Sequence, residues 1–162
     1  MQNQVELETL VVFKVDAYHL ALPIDHVLRV VEYSPQFEDN PSTMGLTQIG
    51  RHTIKILDLH QSLSSDRPTQ ATESARFLVV THDAHGQPYG IPAHTPPDLV
   101  EMPLRSMQAL PRQTHPNPIL KIASHAAVIS RDDATTTVFL LDLNRANDLL
   151  QVENLLDVKK NG

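Results

Sequence analysis

The stretch "IKILDLHQSL", residues 54–63, carries a strand-like apolar run into Leu-Asp-Leu and then changes character. "VFLLDLNRANDLL", residues 138–150, does the same near the other end of the chain. In both, alternating apolar residues stop at an acid and helix-tolerant residues follow. A carboxylate at such a point accepts from the backbone N–H groups of the first helical turn, removing donors that would otherwise have no partner. The leucines on either side are placed to seal a core. Asp58, Leu59 and Asp142 therefore read as structural residues. Neither motif has a second acid beside it, so no acid–base pair is expected.

Working outward, the region before each motif also repeats. Leu10-Val11-Val12-Phe13-Lys14-Val15 is rich in β-formers and stops at the turn signal Asp16-Ala17. Tyr18-His19-Leu20-Ala21-Leu22 alternates with period two until Pro23 breaks it, and "IDHVLRVVEY" resumes an extended or briefly helical run. Gly45 opens "GLTQIGRHTIKILDL", a hairpin around Gly50-Arg51-His52. In the second half Leu78-Val79-Val80 answers Leu10-Val11-Val12, Asp83-Ala84 answers Asp16-Ala17, and Pro92 falls near the place of Pro23. Two diverged copies of one β-rich unit are expected, at about 9–63 and about 75–150. Residues 64–74, "SSDRPTQATES", hold one alanine and no larger aliphatic residue, and so form the linker between them. A helical tail is expected over 144–160, where Leu149, Val152 and Leu156 recur at helical spacing.

The composition removes several function classes. Of 162 residues 41% are hydrophobic, enough for a real core, and 12 prolines imply many turns. Thirteen Lys+Arg against 19 Asp+Glu give a net charge of −6, and the cations are scattered. Duplex binding draws on clustered cations and single-strand binding on aromatic stacking platforms, so nucleic acid is not an expected partner. No run approaches the roughly 18 apolar residues of a membrane span, and "MQNQVELETL" lacks the basic start and apolar stretch of a signal peptide. A cytoplasmic protein is expected, without membrane insertion. With no cysteine there is no disulfide framework and no thiolate metal site. The nine histidines show none of the spacings of a metal site, and no metal or cofactor is expected. His82-Asp83-Ala84-His85-Gly86 reads instead as a hairpin turn in which Asp and Gly meet backbone demands.

The residues quoted so far resemble the CheW-like family of chemotaxis coupling proteins. "GLTQIGRHTIKILDL" is similar to a family pattern running Gly-Val-Ile-Asn-Leu-Arg-Gly-x-x-x-Pro-Val-Ile-Asp-Leu. Upstream, "FKVDAYHLALPIDHVLRVVE" is similar to the family's Phe-x-Val-x-x-x-x-x-Ala-x-Pro-Ile-x-x-Val-x-Glu-Val opening, and the whole resemblance spans about residues 9–150. It implies an all-β fold of two five-stranded SH3-like barrels packed around a shared core, with short helices and a C-terminal helix. It implies no enzyme activity and no cofactor. Family members are adaptors that bridge the cytoplasmic tip of a receptor to the regulatory domain of the histidine kinase CheA, in systems controlling chemotaxis, phototaxis or pilus-driven motility.

Carried over residue by residue, Val27, Gly45, Asp58 and Leu59 match the family pattern. Three places depart from it. Arg29 stands where the family has Glu, Gly50-Arg51 reverses the family's Arg-Gly, and Ala93-His94 replaces a frequent Val-Asp. The expected partner surface comprises Val27, Arg29, Leu46, Ile49 and Arg51, with Gly45 and Gly50 structural beside Asp58, Leu59 and Asp142. A pair of arginines at 29 and 51 repels where the family's Arg and Glu support one another, so this surface has been rewritten. A divergent scaffold that has lost kinase binding and binds another protein is the nearest alternative. A hydrolase using His and Asp residues in the groove between units is a more distant one, for which the sequence offers no organised triad.

Overall fold

The computed structural model describes residues 6–33, 46–59, 63, 75–111 and 117–146. β1 (Leu7–Val15) and β2 (Tyr18–Pro23) form an antiparallel hairpin with Val15 opposite Tyr18. Asp16 turns it at φ 55°, a left-handed conformation that a short polar side chain tolerates. Pro23 closes β2 and opens a 3-10 turn, Ile24–His26, which delivers the chain to β3 (Val27–Glu32). β4 (Leu46–Ile49) and β5 (His52–Ile56) then form the hairpin expected around Gly50-Arg51.

The second half repeats the plan. β6 (Phe77–His82) and β7 (Pro88–Ala93) form its first hairpin, and β8 (Asp98–Pro103) follows. A 3-10 turn (Leu104–Ser106), the short β9 (Gln108–Ala109) and the single-turn helix α1 (Ile119–Ile122) intervene. The long hairpin of β10 (Ala123–Arg131) and β11 (Ala134–Leu141) completes it. Residues 143–146 begin a helix. Gly45, the linker 64–74 and the tail beyond residue 146 lie outside the described residues.

Strand order reveals how the repeat is used. One sheet runs β8-β1-β2-β11-β10-β9 and the other β3-β6-β7-β5-β4. In the first, the β1–β2 hairpin of the first half sits between β8 and β11 of the second. In the other, β6–β7 of the second half sits between β3 and β5 of the first. The parallel joints are equivalent too: β2 with β11, and β5 with β7. The two halves thus follow one strand plan and have exchanged their leading hairpins, so the barrels do not follow the boundaries of the two sequence units.

Three cores result. Leu10, Ala21, Met102, Ala127 and Val138 fill the inside of the six-stranded sheet. Tyr33, Ile54, Ala75, Leu78 and Val80 fill the inside of the five-stranded one. Between them the outer faces of the exchanged hairpins meet, Phe13, Leu20 and Leu22 from one and Val79, Tyr89 and Ile91 from the other. Leu57, Leu59 and Leu141 are buried in this shared cluster and Leu143 packs against it. Each Leu-Asp-Leu therefore closes the core that joins the barrels, which is why the motif occurs twice. Burying one such leucine contributes about 1.5–3 kcal/mol.

Candidate functional site

The expected partner surface divides between two elements. β3 is an outer strand of the five-stranded sheet, its inner neighbour being β6. Its register slips between Val27 and Arg29, a bulge at Leu28. Val27 is half-buried against the shared core, whereas Arg29 is exposed. Leu28 and Val30 beside it are 56% and 42% exposed, unusual for aliphatic residues in a strand.

The β4–β5 hairpin is the second element. Ile49 is half-buried and packs on the core inside the five-stranded sheet. Arg51 is exposed at the turn tip. Gly50 has φ +61° and open space where a Cβ would stand. Positive φ at the first central position and not at the second is the II′ pattern, which favours Gly at that first position. The reversed order Gly50-Arg51 is thus matched to the backbone of this turn. Leu46 pairs with Lys55 through its backbone, and its side chain lies outside the described residues. β3 and β4 occupy opposite ends of the sheet order, yet Val31 and Ile49 pack on one cluster, so the curl of the sheet draws the two edges toward a common core. Among the departures in the second half, Ala93 is fully buried and His94 is half-exposed.

A groove of about 320 Å³ opens between the barrels, and Leu22, His26, His82, Asp83, Leu141 and Asp142 are among its lining residues. The rings of His26 and His82 lie 6.2 Å apart between centroids. Both carboxylates nearby are committed to backbone. Asp83 Oδ1 accepts from the N–H groups of His85 at 2.8 Å and Gln87 at 2.9 Å. The bond from Gln87, helped by that from His85 and opposed by desolvation, holds its carboxyl below the usual range. Asp142 Oδ1 accepts from the N–H groups of Asn144 at 3.1 Å and Arg145 at 3.2 Å, the geometry of a helix cap. Its other oxygen lies 3.4 Å from Arg145 Nε. Asp58, the equivalent acid in the first motif, is half-buried at its strand end.

This groove does not assemble a hydrolytic triad among the described residues. Ser124 Oγ lies 2.8 Å from His125 Nδ1, but the two are neighbours in sequence and no carboxylate is bonded to that histidine. The described residues also hold no group of three or more metal-ligating side chains.

Sequence reading passed over the exposed aliphatics Leu28, Val30 and Leu99, and Asp98 beside the last of these. Within an alternating run such residues look like core, and only strand position distinguishes them.

Comparison with known proteins bears on most of the chain. The CheW-like domain family matches residues 9–151. No curated protein matches. Among solved structures, the crystal structure of scaffolding protein TtCheW from Thermoanaerobacter tengcongensis is similar with a TM-score of 0.62 and 16% identity. That match covers 85% of this chain and 90% of the other, and at this identity it speaks for the fold of two curled sheets.

Proposed function

The chain belongs to the CheW-like domain family, and on that premise we propose that it is a cytoplasmic adaptor coupling a receptor's cytoplasmic tip to the regulatory domain of a CheA-type histidine kinase. The family is one of noncatalytic scaffolds, and the work of such a protein is done by surfaces. The systems it would serve are chemotaxis, phototaxis or pilus-driven motility. What carries the reading is the outer strand β3, with Arg29 exposed and Val27 half-buried, together with the exposed Arg51 of the β4–β5 turn. Arginine is enriched at interface hot spots, where its planar fork reads carboxylates. No helix among the described residues is long and apolar enough to cross a membrane.

The test is a titration of wild type and Arg51→Ala against the kinase regulatory domain and against a receptor-tip hairpin. Arg51→Ala is expected to weaken binding with the circular dichroism spectrum unchanged. If the contact is buried, the loss is about 2–5 kcal/mol, whereas a rim contact chiefly slows association. Equal affinities would take this hairpin out of the interface. A second reading is favoured by Arg29 in the place of the family glutamate: a divergent scaffold whose partner is another protein. Failure of the folded protein to bind either partner would select it.

A further inference from the structure

The groove between the barrels brings together two histidines that stand far apart in sequence, His26 of the first unit and His82 of the second. Strand register does this. Val27, the first residue of β3, pairs with Thr81 of β6, and the Thr81 hydroxyl donates to the His26 carbonyl. The 3-10 turn is thereby tied to the end of β6, with the two rings 6.2 Å apart between centroids. His26 is exposed and His82 half-buried. His82 Nδ1 lies 3.0 Å from the Asp83 carbonyl, which can only accept. That nitrogen therefore carries the proton, and the lone pair of the neutral ring is on Nε2. A carbonyl in this place is the usual orienting partner of a metal-ligating histidine. Two aspartates and no lysine or arginine are among the lining residues of the groove. Arg145, 3.4 Å from Asp142, offsets one of these acids; Asp83 keeps its charge beside His82, which favours a cation.

We propose that His26 and His82 hold one divalent transition-metal ion in this groove, through a nitrogen of each ring. The rings are spaced for it. An ion about 2.0–2.1 Å from each nitrogen stands about 3.2 Å from each centroid, so two rings on one ion have centroids about 5 Å apart at a tetrahedral angle and about 6.4 Å apart when opposed. The observed 6.2 Å falls inside that span. Imidazole suits zinc, nickel and copper, whereas magnesium and calcium take oxygen ligands. Asp83 and Asp142 each spend Oδ1 on backbone N–H groups, so the ion has two protein ligands and its other positions go to water. Such an ion ties the turn before β3 to the end of β6, and thus one unit to the other. An ion that binds only the folded chain raises its stability. The site is independent of receptor or kinase binding, and purified protein alone tests it.

The experiment is a calorimetric titration with Zn2+, and with Mg2+ for contrast, on wild type, His26→Asn, His82→Asn and the double variant. Asparagine at 82 keeps a donor for the Asp83 carbonyl and removes Nε2, so the turn is preserved while the ligand is lost. Wild type is expected to bind one equivalent of Zn2+ and no Mg2+, and its thermal midpoint to rise with Zn2+. Each single variant is expected to weaken Zn2+ binding roughly tenfold or more, and the double variant to abolish it. His85→Asn, in the same turn but outside the groove lining, is expected to bind as wild type does. Circular dichroism checks each variant. Ring nitrogen shifts of wild type, followed by NMR during the titration, need no variant: those of His26 and His82 are expected to move together. Absence of Zn2+ binding overturns the proposal. So does binding that survives in the folded double variant or is lost in His85→Asn, or a titration in which only one of the two rings responds.

Discussion

At the scale of single residues, two aspartates show how one side chain replaces missing backbone partners. Asp142 caps the helix that begins at residue 143, with Oδ1 shared between two N–H groups. The backbone holds it in place as well, because its own N–H donates to the Ile122 carbonyl at 2.8 Å. Asp142→Ala is expected to cost about 1 kcal/mol in denaturant unfolding, and Asp142→Asn less, since Asn is also a good cap. An Asp142→Ala variant as stable as wild type would show that the cap contributes nothing. Asp83 serves the β6–β7 turn in the same manner, and its charge makes the effect depend on pH. Bonds from Gln87 and His85 favour the ionised form and lower its folded pKa beneath the ordinary 3.8. A carboxylate shifted downward adds stability above its unfolded pKa and loses it as pH falls through the folded value. Asp83→Asn keeps an acceptor without the charge. Its stability deficit is therefore expected to be greatest near neutrality and to shrink below pH 3.8. Denaturant melts at the two pH values measure this, and a deficit constant across them would exclude the charge as its cause.

At the scale of elements, the hairpins were the most legible part of the chain. Period-two runs ending at Asp16-Ala17, Pro23 and Gly50-Arg51 mark turns because these residues answer specific backbone demands, and the strands stop where those residues stand. The "IDHVLRVVEY" run resolves into a 3-10 turn followed by β3, since Pro23 presets the turn and the β-branched residues follow it. The β10–β11 turn is less obvious in sequence. Asp132 and Asp133 both take positive φ, 49° and 62°, in a two-residue connection whose best residues are Asn-Gly. Asp133→Gly is expected to stabilise the protein by on the order of 1 kcal/mol by removing left-handed strain, read as a raised denaturation midpoint; no gain would mean the acid is held by contacts of its own. The β4–β5 turn predicts the opposite sign. Restoring the family order with Gly50→Arg and Arg51→Gly puts a side chain where φ is +61°. The double variant is expected to lose on the order of 1 kcal/mol, unless the turn adopts another type. Unchanged stability would indicate such a rearrangement, and the partner-binding comparison should be made only after this measurement.

At the scale of the whole molecule, the duplication is visible in the sequence and the exchange of hairpins is not. The alternation in Leu10–Val15 and Phe77–His82 says that each strand has a buried face. It is silent on which half supplies the neighbouring strand, because β8 and β3 present similar apolar residues to equivalent hairpins. Exposure is obscured in the sequence for a related reason: Val27, Ile49, Leu28 and Leu99 follow one local pattern, and only their place in the sheet separates core from surface. The exchange has an energetic consequence. The shared cluster takes Leu59 from the end of the first unit and Leu141 from the end of the second, alongside residues of both hairpins. Each sheet also contains strands from both halves, so opening of either barrel is expected to disturb the other. Leu59, 1% exposed, is a direct probe of this coupling. Leu59→Ala is expected to cost about 2–5 kcal/mol, with the spread set by how far the cavity collapses. Amide exchange should then accelerate in β1–β2 and in β6–β7 together, because residues of both hairpins share one cluster with Leu59. If only the five-stranded sheet loses protection, the barrels open independently and the exchanged hairpins fix topology without linking stability. If both lose protection by the same factor, a perturbation at either barrel reaches the other through the shared core.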